Sequence, residues 1–431
     1  MKLPLFCTKL LIRTRIARYL PSFRRSSHGA SDYLHYFADR VLSAPLDAML
    51  DEGAFPDIQT PDTIHLAMSS PRFDSLTAGI VRSVVMPRQS VPPQGMTELR
   101  MEIAHQHAHA HQVSVDAADE VLITHGATGA FGTILDTFVN PGTNVCVFDP
   151  TSPMFTIGLK SRRARILTVP TWMEEGRTRF HLGPFVKAMK GAKLLVLADP
   201  SNPTGGCLAP EDLEQIAWWA RHYDVLIYLD ESLSRFRYDE QSNHLPKLPD
   251  ASNRVIVGNS ISKGHGLSSL RVGWLVGHRH LIRACSVTSA LTNPFVPIPC
   301  QQMALAAMRT VNDEAFDTLR QGFASRRRYV YERLTSMGLQ PAWPSGGFFF
   351  WVPVSPLGKT GREFAQSLLE EKRVLVGPGD VFGASGSKFI RISYAIEEGR
   401  LREGLSRIGE YVNELRRVPE MPRQPELVEA A

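Results

Sequence analysis

The chain has 431 residues, 43% of them hydrophobic and 21% charged, with a formal net charge of +5. That length supports one large and one smaller domain whose cores need neither a disulfide nor a structural metal. Five cysteines without a C-x-x-C pair argue against zinc and disulfide frameworks, and the mild basic excess does not imply nucleic-acid binding.

From the N-terminus, Lys2, Lys9, Arg13, Arg15, Arg18, Arg24 and Arg25 all precede the first acid, Asp32. This composition suits a mitochondrial leader or a basic arm. We read residues 1–31 as an arm of a cytoplasmic protein. Thr8 and Lys9 break the apolar run Leu3 to Leu11, against a secretory signal, and no run reaches the length of a membrane span. His105, His107, His109 and His111 alternate along a helical pattern; with no carboxylate or cysteine to complete a metal site, a solvated helix face is expected. A strand at Val121 to Thr124 runs into Gly126-Ala127-Thr128, at the start of a helix. Further strands are expected at Val145 to Phe148, Leu194 to Leu197, Val225 to Leu229, Val255 to Val257 and Val272 to Val276, interleaved with amphipathic stretches such as Asp212 to Arg221. Alternation of this kind predicts an α/β fold with a mostly parallel sheet covered on both faces. A single long helical pattern from Gln301 to Ser336 then leads to strands at Phe348 to Val354 and Phe389 to Ile392, a smaller α+β domain. The expected division is an arm (1–31), a small domain (32–72 plus 315–416), a large domain (73–314) and a disordered tail (417–431). Trp218-Trp219 and Phe348 to Trp351 read as core aromatics, and Arg235 with Arg237 as a surface pair.

The residues that carry chemistry lie where the strands end. Asp199-Pro200-Ser201-Asn202-Pro203-Thr204-Gly205 forms a sharp loop after a buried strand, at the edge where open α/β sheets bind ligands. Asp230 ends the next apolar run, where burial without a cation is costly. Ser260-Ile261-Ser262-Lys263 is followed eight residues later by Arg271. A turn, a surface cap and a solvated basic loop would explain each singly, but not the ordered series.

Taken together with Pro378-Gly379-x-x-Phe382-Gly383 and Arg391-Ile392-Ser393, these motifs resemble the fold-type I aminotransferases, which depend on pyridoxal 5′-phosphate (PLP), over roughly residues 60 to 415. The resemblance implies that Lys263 holds PLP as an imine and shuttles the Cα proton, and that Asp230 faces the pyridinium nitrogen. It implies that Asn202 donates to the phenolic oxygen and lies in the substrate site. Gly126, Ala127, Thr128, Ser260 and Arg271 would cradle the phosphate. Arg391 would grip the substrate α-carboxylate, unless it forms a structural ion pair. The activity implied is amino-group transfer between an α-amino acid and a 2-oxo acid by a homodimer. Gly346-Gly347-Phe348 is similar to the family's loop that closes over substrate.

Several positions depart from the family pattern. Leu233 replaces a tyrosine or phenylalanine three residues beyond Asp230, Ser152 replaces a ring-stacking aromatic for which Phe155 is a candidate substitute, Ser90 replaces a tyrosine that reaches the neighbouring subunit, and Ser69-Ser70 replaces a glycine before Pro71. These changes leave room for another PLP reaction on an amino acid, such as decarboxylation, elimination with cyclisation or oxidation, or for a catalytically silent PLP-binding protein.

Overall fold

A computed structural model of the chain describes residues 62–67, 92–238, 244–311 and 313–417. The expected arm, the tail beyond Arg417, Ser69, Ser70, Pro71 and Ser90 lie outside the described residues. The strands are β1 (Ile64–His65), β2 (Val121–Thr124), β3 (Asn144–Asp149), β4 (Arg165–Glu174), β5 (Arg177–Phe180), β6 (Leu194–Ala198), β7 (Leu226–Asp230), β8 (Val255–Ser260), β9 (Gly273–Gly277), β10 (Phe349–Pro353), β11 (Val374–Leu375), β12 (Gly377–Pro378) and β13 (Phe389–Ser393). The helices are α1 (Thr97–His111), α2 (Gly126–Phe138), α3 (Pro153–Ser161), α4 (Leu182–Met189), α5 (Pro210–His222), α6 (Ile261–Gly264), α7 (Arg279–Thr292), α8 (Ile298–Thr310), α9 (Asp313–Ser336), α10 (Gly361–Lys372) and α11 (Glu398–Arg417).

Among the described residues, eight strands form one sheet in the order β2-β9-β8-β7-β6-β3-β4-β5. The pairs β8–β7, β7–β6, β6–β3 and β3–β4 are parallel, whereas β9 runs against both β2 and β8, and β5 against β4. The central strands are continuous apolar runs because both faces are covered. Phe131, Ile134 and Leu159 pack with Val145, Val196 and Tyr228 on one face, and Phe185, Leu213 and Ile216 with Cys146, Leu197 and Leu229 on the other. Each fully buried aliphatic side chain contributes about 1.5–3 kcal/mol. Helix ends follow local chemistry. Pro210 opens α5, with Glu211 and Asp212 in its first turn and Arg221 and His222 in its last. Thr360 and Glu363 form a capping box on α10.

A second, smaller sheet pairs β10, β13 and β12 antiparallel, and β1 pairs with β11. Ile64 and Leu66 share a core with Phe364, Ile390, Leu405 and Tyr411, so an N-terminal segment completes a C-terminal core.

The single helix expected over Gln301 to Ser336 is two. Val311 ends α8 outside the helical region, because Ala304, Ala307 and Met308 face the core beside β2 and β9 while Phe316, Phe323 and Val330 face the core of the smaller sheet. A periodic pattern does not report that change of direction. The β4–β5 hairpin was not anticipated. Its turn is Glu175-Gly176, both with positive φ, as a two-residue hairpin turn requires. Trp218 is 47% exposed and so is not a core residue, whereas Phe348 to Trp351 are buried as expected. No helix among the described residues is long and apolar enough to cross a membrane.

Candidate active site

The parallel arrangement of β6, β7 and β8 delivers three chemically distinct segments to one edge of the sheet. β6 runs into the loop of Asn202, β7 ends on Asp230, and β8 ends on Ser260 with Lys263 on the short helix that follows. Asp230 is buried, not a surface cap. Its Oδ1 accepts from the Ser232 amide at 2.8 Å. Burial raises the pKa of Asp230, the Ser232 hydrogen bonds oppose that, Glu231 adds to it, and the positive charge of Lys263 lowers it. The charge of Lys263 thus reaches Asp230, the first a candidate for the cofactor's aldehyde and the second for its ring nitrogen.

A second cluster forms around Arg391 on β13, which is buried. One Nη donates to Asn202 Oδ1 at 2.7 Å and the other to the Ala67 carbonyl at 2.8 Å, while the guanidinium lies 4.3 Å from the Phe349 ring centroid and 4.6 Å from that of Phe382. No carboxylate pairs with it among the described residues, so the structural ion pair is not found. Its Nε has no hydrogen-bond partner, and burial pushes its pKa down to about 9. A buried, still cationic guanidinium with a spare donor is suited to a carboxylate. Because Asn202 spends its carbonyl oxygen on Arg391, its amide nitrogen is left to donate elsewhere, as a contact to a phenolic oxygen needs.

The proposed phosphate cradle depends on close backbone approach. Gly126 opens α2 at φ +70°, and a Cβ there would sit 2.6 Å from the Arg271 guanidinium. A Cβ on Gly273 would lie 2.4 Å from the Gly126 backbone. The structure thus brings Gly126, Ala127, Arg271 and the end of β8 together at a helix N-terminus, where amide donors and a cation suit a dianion. Ser260 is buried there, whereas Thr128 and Arg271 are exposed.

The loop resembling a substrate lid docks on these segments. The Gly346 amide donates to Gly205 O at 2.8 Å and the Gly347 amide to Phe236 O at 3.0 Å; Tyr238 and Tyr394 both donate to Gly347 O, at 2.7 and 2.9 Å. A Cβ at Gly347 would lie 3.4 Å from the Leu233 side chain.

Three expectations need correction. Phe155 does not replace the missing stacking ring: it is fully buried, 4.9 Å from Phe131 between ring centroids, inside the core. The histidine series is a solvated face only in part: His105 and His109 are exposed, but the other two are not. His111 is buried and its Nε2 lies 2.9 Å from Glu231 Oε2, which supplies the carboxylate the sequence seemed to lack. His107 packs 4.3 Å from the His111 ring, and its pKa falls to about 3 through burial and the charge of His111. Even so, no metal-binding group of three or more such residues forms among the described residues. Arg235 and Arg237 are not a surface pair: Arg237 is buried in an ion pair with Asp199, and Arg235 lies over the Phe316 ring and donates to Gly264 O and Val311 O. Sequence reasoning missed Glu231, His111 and Arg237, since residues 120 positions apart give no local signal of a pair.

Comparison with known proteins matches residues 82–408 to the family described as aminotransferase class I and II. An aspartate aminotransferase of Pyrococcus abyssi is 30% identical over 329 residues, 75% of this chain and 84% of the relative. An arginine–pyruvate transaminase of Pseudomonas aeruginosa is 29% identical over 399 residues, 89% of this chain and 95% of the relative. The crystal structure of a Thermotoga maritima aspartate aminotransferase superposes with a TM-score of 0.78 at 26% identity, covering 88% of this chain and 100% of that one.

Proposed function

The chain belongs to the class I and II aminotransferases and is an aminotransferase; from that premise we propose that it holds PLP through Lys263 and moves an amino group between an α-amino acid and a 2-oxo acid. The observation that carries this reading is the contact of Arg391 with Asn202, which ties a carboxylate-binding cation to the strand-end loop beside Asp230. PLP supplies an electron sink for the bond broken at the substrate Cα.

The chain's own residues do the rest. Lys263 would bind the cofactor's aldehyde carbon and, once the substrate amine takes its place, accept and return the Cα proton at Nζ. Asp230 would hold its negative charge against the ring nitrogen and keep that nitrogen protonated. The Ser232 amide and Lys263 favour the charged carboxylate there, against burial. Asn202 would orient the ring through its phenolic oxygen. Gly126, Ala127, Thr128, Ser260 and Arg271 would fix the phosphate, and Arg391 the substrate carboxylate, its plane set by Phe349 and Phe382. The named relatives act on different amino acids, so the side-chain specificity of this chain is a question for assay.

Two further proposals concern organisation. The shared core of Ile64, Leu66 and the C-terminal elements supports a small domain of residues 32–72 plus 315–416 and a large domain of 73–314. A symmetric homodimer is supported by Val287, Leu291 and Phe295, four residues apart along α7 and the loop after it and exposed at 58%, 82% and 52%. Purified protein with PLP and a panel of amino acids tests the central reading. The expected product is the matching 2-oxo acid by mass spectrometry; a decarboxylated amine or an elimination product would overturn it.

A further inference from the structure

Four ionisable side chains lie buried behind the strand ends. Asp199 is 0% exposed, Arg237 7%, Glu231 4% and His111 4%. Asp199, the residue after β6, pairs with Arg237 through one oxygen and accepts from the Leu208 amide at 3.0 Å through the other. Glu231, the residue after β7, pairs with His111 at the end of α1. Burial pushes the Glu231 pKa up, but the charge and hydrogen bond of His111, the charge of His107 and that of Arg237 hold it below the usual range. The two pairs are therefore Asp199–Arg237 and Glu231–His111, the latter an ion pair when His111 is protonated, and the charge of Arg237 acts on Glu231 between them.

The network crosses two neighbouring strand ends. The Asp199 amide donates to Asp230 O at 3.1 Å, and the Glu231 amide to Gly258 O at 2.9 Å. Asn202 follows Asp199 by three residues, and Asp230 immediately precedes Glu231. Arg237 is also pinned by its backbone, bridging to Gly346 and accepting at its carbonyl from Arg320 at 3.3 Å. Among the described residues, the charges of His107, His244, Asp230 and, through Asp230, Lys263 also bear on the cluster.

We propose that the buried series Asp199–Arg237–Glu231–His111 sets the spacing of Asn202 and Asp230 at the cofactor ring, with Arg237 as its central positioning residue. The inference rests on the reading of Asn202 and Asp230 as ring contacts. Buried ion pairs are poor stabilisers compared with packed apolar groups, whereas their partner-specific geometry defines one arrangement. The paired geometry fixes that arrangement, and through Glu231 the cluster's charge also bears on Asp230, raising its pKa.

The test uses apo-protein titrated with PLP, following the visible band, its pH midpoint and the melting temperature of the apo form. Arg237→Met should weaken PLP binding by about tenfold or more and move the midpoint, because the buried Asp199 carboxylate loses the cation it pairs with. Arg237→Lys should recover most of the affinity, and Asp199→Asn with Arg237→Met should recover part by removing both charges. PLP binding of Arg237→Met within about twofold of the parent, with an unmoved midpoint, overturns the proposal. So does an equal loss in all three variants, which marks a packing role. Should Arg237→Met fail to fold, Arg237→Lys and the single variant Asp199→Asn decide, since a positioning role moves the midpoint in the latter even at a parental melting temperature. Asp230→Asn separates the two levels. If it binds PLP as the parent does, the reading of Asp230 falls and this inference with it; if it is impaired while Arg237→Met is not, only this inference falls.

Discussion

Leu233 stands three residues beyond Asp230, buried against Phe236 and the Gly347 loop. It offers no hydrogen bond, so on the proposed reading the phenolic oxygen of PLP would keep Asn202 as its donor from this chain. A tyrosine there would stabilise the phenolate and make the neighbouring cationic nitrogen easier to deprotonate. Leu233→Tyr is thus expected to lower the pH midpoint of the cofactor's visible band, and spectrophotometric titration checks it; an unmoved midpoint places Leu233 away from the cofactor. Arg391→Lys keeps the charge but loses the two-pronged geometry, at roughly 2 to 4 kcal/mol, or about two to three orders of magnitude in kcat/KM for amino acids. Amines lacking the carboxylate should lose much less, with PLP binding retained. Steady-state kinetics on an amino acid and its decarboxylated analogue decide, and equal losses would mark Arg391 as structural. Asn202, Asp230, Lys263 and Arg391 were legible because each sits in a short motif whose neighbours fix the backbone. Arg237 and His111 were not, because their partners are distant in sequence and only the folded sheet brings them together.

At the scale of elements, α1 is two-sided: Leu99, Ile103 and His111 are buried, whereas His105 and His109 are exposed. His107 and His265 both have pKa values lowered by burial, His107 to about 3 with help from His111, and His265 further by Arg235. Between about pH 6.5 and 3 the unfolded chain therefore binds more protons than the folded one, and stability falls as pH falls through that window. The depressed pKa of Glu231 acts in the same direction, while that of Asp230, raised by burial, opposes it. Melting temperature against pH should show this acid loss, and His107→Phe should make it shallower; an unchanged slope would remove His107 as a contributor. The apolar runs of β3, β6, β7 and β8 were readable because strands covered on both faces carry few polar residues. The β4–β5 hairpin was harder to read because Pro170 interrupts the apolar run of β4 and β5 is short and polar, leaving only the Glu175-Gly176 turn as a signal.

For the whole molecule, the alternation of strands and helices was enough to read an α/β fold, but not the seam at Val311, where the chain passes from one core to another. Light scattering at assay concentration should give twice the mass of one chain, and an active monomer would refute the proposed dimer. Leu291→Lys should weaken assembly without disturbing the monomer fold, since that side chain is exposed. The expectations that concern the cofactor depend on one attachment. Borohydride reduction of the PLP-loaded protein, followed by peptide mapping, is predicted to leave the cofactor fixed on Lys263, and Lys263→Ala to leave no label and no turnover. Label on another lysine, or none on the parent protein, would contradict the account.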